Sequence, residues 1–138
     1  MKNRFRFERL ECWPQTCQLN REIYKITRRF PKDEICGITS QLRRAAASIS
    51  SNIAAGGRNS DKDFAHFLEQ AHGSGREVAS LLFLALDEQY LAQTEAARLL
   101  ETVAAVSAKI AALNRSLKVP GPKTPCTRGS GPAFDVGR

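Results

Sequence analysis

Apolar and small side chains recur along this chain at alternating steps of four and three, in four separate stretches. Leu19, Ile23, Ile26 and Phe30 keep the rhythm in the first stretch, and Leu42, Ala46, Ile49 and Ile53 in the second. The third runs from Phe64 through Leu68, Ala71, Gly75, Val78 and Leu82 to Ala85. The fourth runs Leu99, Val103, Val106, Ile110, Leu113 and Leu117. Such steps average 3.5 residues, the period of a seam between helices crossing at a shallow angle. Four such segments with short connections predict an all-α fold, an antiparallel up-and-down four-helix bundle.

Chemical markers set the expected boundaries. Pro14 suits the first turn of helix 1, where its missing N–H costs nothing, and Pro31 stops that helix. Thr39 or Ser40 is expected to cap helix 2, which ends at Gly56-Gly57 in a left-handed turn. Ser60 with Asp63 resembles a capping box opening helix 3, which runs to about Glu88. Thr94 is the expected cap of helix 4. The bundle with its short N-terminal arm is assigned to residues 1–118. Residues 119–138, rich in Pro and Gly without apolar periodicity, read as a flexible tail.

Gln41 to Gly57 reads QLRRAAASISSNIAAGG, a helix whose core face is mostly small. Small side chains let helices approach closely. Gly73 and Gly75 lie inside helix 3, where two glycines cost about 2 kcal/mol relative to alanine. Close backbone contact, within the bundle or across a subunit interface, is the expected reason. Asn52 lies beside the helix 2 stripe and is expected to fix register between helices. The arm alternates Arg4, Phe5, Arg6 and Phe7 as an extended strand would. It reads either as arginines and aromatics that touch nucleic acid, or as a clasp of Phe5, Phe7, Leu10 and Trp13 on the bundle or a neighbouring subunit. The clasp is the preferred reading.

The net charge of +7 is uneven. Residues 1–60 hold 12 Lys/Arg against 5 Asp/Glu, while residues 61–118 hold 6 against 8. A basic surface attracts polyanions. Arg43 and Arg44 either pair with acids of helices 3 and 4 or contact phosphate. Arg58, Lys62 and Lys32, at helix ends or in loops, reach a polyanion more easily. The chain offers no catalytic constellation and no cofactor motif. His66 and His72 point to different helix faces, and no CxxC pair exists, so no metal site is expected. Cys12, Cys17 and Cys36 are read as small reduced core residues. No apolar run is long enough for a membrane span and no secretory signal opens the chain, so a cytoplasmic protein is expected.

Several pieces in order, FERLECW, IYKITRRFPKDE, GITSQLRRAAASISSNIAAGG, DFAHFLEQAHGSGRE and DEQYL, resemble the four-helix-bundle family of proteins encoded within intervening sequences of bacterial 23S rRNA genes. The resemblance covers residues 5–118. It implies a cytosolic non-enzymatic bundle that assembles as a ring, typically a homopentamer. The chain is also similar to accessory proteins of diversity-generating retroelements, which partner a reverse transcriptase and nucleic acid. Ala55 stands where the family usually carries Glu, so any role of that acid is absent or moved. Pro14 is likewise unusual for the family. Five chains of +7 each, +35 in all, repel one another unless interface burial or a polyanion offsets the charge. The expected function is therefore an oligomeric adaptor that binds RNA or DNA through its basic first half, with Phe5, Phe7, Trp13, Gly73 and Gly75 at subunit interfaces. A protein-interaction scaffold is the alternative.

Overall fold

A computed structural model describes residues 4–56 and 60–117. Four helices, α1 (Cys12–Thr27), α2 (Ile38–Gly56), α3 (Asp61–Asp87) and α4 (Gln93–Leu117), form an all-α four-helix bundle. Short 3-10 turns at Arg6–Arg9 and Lys32–Glu34 precede α1 and α2. Arg58, Gly57 and the segment from Lys118 onward, including the expected tail, lie outside the described residues.

Cross-helix contacts fix the directions. Glu11, beside the start of α1, meets Lys109 late in α4, and Arg29, just past the end of α1, meets Glu95 in the first turn of α4. Asn20 reaches Ser50 while Arg43 reaches Thr27, so α1 and α2 run oppositely. The substantial contacts run α1–α2, α2–α3, α3–α4 and α4–α1, which leaves α1 and α3 on the diagonal.

The four apolar stripes all point inward. Leu19, Ile23, Leu42, Ile49, Ile53, Leu68, Val78, Leu82 and Leu99 are fully buried. Each large side chain buried this way contributes about 1.5–3 kcal/mol. Leu113 and Leu117, at the end of the fourth stripe, are half-buried.

Pro14 is the third residue of α1, within the first turn as expected. Two helix starts differ from expectation. α2 begins at Ile38, so Thr39 is a buried residue inside the helix rather than its cap. The carbonyl of Gly37 accepts the first helical bond, from Gln41 N at 3.0 Å. α4 begins at Gln93, so Thr94 is internal. Its opening is held by Glu95, whose carboxylate accepts from Ala92 N at 3.2 Å. That bond, with the Arg29 guanidinium beside it, holds the Glu95 carboxyl below its ordinary value. Ser60 caps α3 as expected, its Oγ accepting from Asp63 N at 3.3 Å.

The arm is not a strand. Phe5 is extended, but Arg6–Arg9 coil into a 3-10 turn because the Glu8 carboxylate accepts from Arg4 N at 2.7 Å and Phe5 N at 2.8 Å. Phe7, Leu10 and Trp13 pack against the core, with the Phe7 and Trp13 rings edge-on at 4.5 Å. Phe5 stacks on Phe7 at 5.4 Å yet stays 60% exposed. The clasp therefore holds for three of its four members within one chain.

Candidate nucleic-acid interface

Charge is sorted around the bundle by what each helix faces. Glu11 and Glu22, at the start and middle of α1, turn toward α4, where they meet Lys109 at 3.2 Å and Arg98 at 3.0 Å. The second is a charge contact, for no aligned hydrogen bond reaches Glu22 Oε1. Arg29 turns the same way and pairs with Glu95 at 2.5 Å. Arg21, Lys25 and Arg28 remain on the outer face of α1, opposite the Leu19–Ile23–Ile26 stripe. All three are exposed and make no ion pair among the described residues. Their spacing of four and three stacks them in one row. Like charges four apart on a helix destabilise it by roughly 0.2–0.5 kcal/mol per pair, and Glu22, three residues before Lys25, is turned to Arg98 of α4 instead of pairing within the row.

The diagonal helix is opposite in sign. α3 holds Asp61, Asp63, Glu69, Glu77 and Asp87 against Lys62 and Arg76. The bundle thus has a basic side at α1 and an acidic side at α3.

The cations singled out in the sequence fall in different surroundings. Arg43 does not pair with an acid of α3 or α4. Its Nε donates to Thr27 Oγ1 at 2.9 Å, and its guanidinium lies over the Tyr24 ring, 4.6 Å from the centroid, so it packs on α1. Arg44 is exposed and lines an open groove between α2 and α3 of about 690 Å³, which Glu77 also lines. It forms no ion pair among the described residues, but an acid shares its groove. Lys62 is exposed in the first turn of α3, between Asp61 and Asp63, which offset its charge. Lys32 is exposed and followed by Asp33 and Glu34. The structure brings Arg43 next to the Arg21–Lys25–Arg28 row through Tyr24. Lys62 and Arg44 belong to the α2–α3 side. The row itself was missed in the sequence, although its spacing of four and three, out of phase with the apolar stripe, is a readable signal.

The residues expected at subunit interfaces also divide. Gly75 is buried, and a Cβ there would come within 3.0 Å of Ser107 Oγ on α4. Its close contact lies inside the chain. Gly73 is exposed, and a Cβ added there would meet nothing within 4 Å, so no contact within the described residues explains it. Ser74 between them bonds Ser48 of α2 at 2.9 Å. Asn52 does not itself bridge helices. Its Nδ2 donates to Ser48 O at 2.8 Å and Ser48 Oγ at 3.1 Å, so it reaches α3 only through the Ser48–Ser74 pair.

Of the three cysteines among the described residues only Cys12 is buried, while Cys17 is intermediate and Cys36 exposed, which corrects the reading of all three as core. Burial raises the Cys12 thiol above its ordinary pKa, which disfavours a thiolate. His66 is exposed and bonds Gln70, while His72 is half-buried and lines a cleft with Leu68, Ile110 and Asn114. Among the described residues no three His, Cys, Asp or Glu side chains gather as a metal site, and no helix is long and apolar enough to cross a membrane.

Four antiparallel helices with a sorted charge surface define a small helical bundle. The chain belongs to the 23S rRNA-intervening sequence protein family, whose sequence model matches residues 8–112. This is not a known enzyme family. No curated protein matches the chain.

Proposed function

We propose that the protein is a cytoplasmic, non-enzymatic adaptor that binds RNA or DNA through the basic side of the bundle and works as a ring of identical subunits, a homopentamer as in the family resemblance. The observation that carries the reading is the row Arg21, Lys25 and Arg28, exposed and without acidic partners among the described residues, while Glu11 and Glu22 are paired toward α4. Self-repulsion along the row is relieved when phosphates replace water and salt around it. Lys32, Arg44 and Lys62 are secondary in this proposal because of the acids beside them. Phe5 and Gly73, exposed in the single chain, are the members of the expected interface set free to meet another subunit. A filter-binding titration of RNA and DNA against salt tests the binding. Retention that weakens steeply from low to moderate salt supports the proposal, and no retention at low salt overturns it.

A second reading, a scaffold that recruits a partner protein such as a reverse transcriptase, draws on a separate observation. Ile35, Phe83 and Leu84 are exposed by 57%, 57% and 48%. Leu84 lines a cleft with Ile38 and Gln41 near one end of the bundle. In this reading the chain does not bind nucleic acid directly, and replacing Phe83 and Leu84 by Ser abolishes partner capture while the fold is kept.

A further inference from the structure

We infer that Tyr24 is a stacking platform for an unpaired base, which makes the ligand of the basic row a single strand rather than a duplex; this rests on the nucleic-acid reading above. Tyr24 lies three residues after Arg21 and four before Arg28, so on the helix surface it is a neighbour of both. Among the described residues it is one of five large apolar side chains left exposed, at 41%, and the one set among the cations of the row.

Its ring is held in place. The Arg43 guanidinium covers one face at 4.6 Å from the centroid, and Arg43 is itself tied to Thr27 Oγ1 at 2.9 Å. Thr27 is anchored in turn, its hydroxyl donating to Ile23 O at 2.7 Å. Cation, ring and threonine therefore form a short chain running from the surface to the buried seam. Arg43 occupies one face and Tyr24 stays 41% exposed, so a base would stack on the opposite face. An aromatic held by a cation–π contact on one side loses little rotamer freedom when a base stacks on the other.

The geometry selects the form of the ligand. In a duplex the base faces are covered by stacking, and a side chain meets only groove edges and phosphates. A single strand can splay a base onto the ring while its phosphates follow Arg21, Lys25 and Arg28. Base stacking on an aromatic is sequence-tolerant, so the platform discriminates strandedness rather than sequence.

The test is fluorescence anisotropy of the full chain at low salt with a short labelled single-stranded RNA and with the blunt duplex of the same sequence. Wild type is expected to hold the single strand more tightly. Tyr24→Ala is expected to weaken the single strand by roughly 5- to 100-fold and leave the duplex within about twofold. Tyr24→Phe keeps the ring and should stay close to wild type. Tyr24→Leu keeps apolar contact without a π face and should behave like the alanine variant, which guards against a loss caused by altered packing. If Tyr24→Ala and Tyr24→Leu weaken both ligands equally, or neither, the platform is wrong while the basic row stands. If wild type binds neither ligand, the nucleic-acid reading falls and this inference with it.

Discussion

Gly56, at the end of α2, lies so near Phe67 of α3 that a Cβ on the glycine would come within 2.8 Å of the phenylalanine Cβ. The same atom would sit 2.8 Å from Cδ1 of Phe64. Glycine is required here by close approach of two helices rather than by a left-handed turn, since Gly56 is still helical. Phe67 Cβ is fixed to the backbone and cannot swing aside. Gly56→Ala is therefore expected to destabilise the bundle by about 1–3 kcal/mol, the usual range for overpacking. A urea midpoint equal to or above that of wild type would contradict this contact.

Gly73 and Gly75 make a matched pair two residues apart in one helix. Gly73 faces open space, whereas a methyl at Gly75 would press on Ser107 Oγ at 3.0 Å. Gly73→Ala is expected to raise stability by about 0.5–1 kcal/mol through helix propensity alone. Gly75→Ala should lack that gain, and Gly75→Ala with Ser107→Ala, which removes the Oγ without placing a glycine inside α4, should recover it. Thermal melts of the three variants check the order. If Gly73 also meets another subunit, its alanine variant additionally shifts the mass seen by light scattering.

Tyr90 clasps the bundle end through a hydrogen bond, its Oη donating to Glu34 Oε2 at 2.7 Å, with Phe30 against its ring at 5.4 Å. The carboxylate of Glu34 favours the neutral phenol and pushes the Tyr90 pKa up to about 12, from an ordinary 10. A folded-state pKa above the unfolded one means that the stabilisation is complete below about pH 10. It is lost as pH rises from about 10 toward 12. Wild type should therefore lose stability relative to Tyr90→Phe across that window and hold a constant difference from it between about pH 7 and 9. Denaturant midpoints of both chains over this pH series decide the matter. A difference that does not change above about pH 10 would contradict the clasp.

Nearly all of the fold was legible from spacing. Burial of a stripe is a property of period, and from Leu19 to Ile110 every stripe residue is buried. What failed were judgements about single polar groups, whose partners come from other segments. Thr94 looked like a cap, but the α4 start is closed by Glu95, three residues past Ala92. Asn52 looked like a register pin, but its donors find acceptors one turn back on its own helix. Phe5 and Phe7 alternated like a strand, yet one carboxylate, Glu8, coils the arm. The site was harder still. Arg43 stands out in the sequence beside Arg44, but only the fold shows that it lies on Tyr24. The Arg21–Lys25–Arg28 row was visible as spacing, but its lack of partners depends on Glu11 and Glu22 turning toward α4.

The central claim is that this unpaired row holds phosphates. The most direct measurement is the slope of log affinity against log salt for single-stranded RNA, in wild type and in Arg21→Ala/Lys25→Ala/Arg28→Ala. Three lost contacts should reduce the slope by about 2, at roughly 0.7 for each phosphate on a single strand. The melting temperature should hold or rise, because like charges four apart have been removed. An unchanged slope in a folded triple variant would contradict the claim and move any binding surface elsewhere on the bundle.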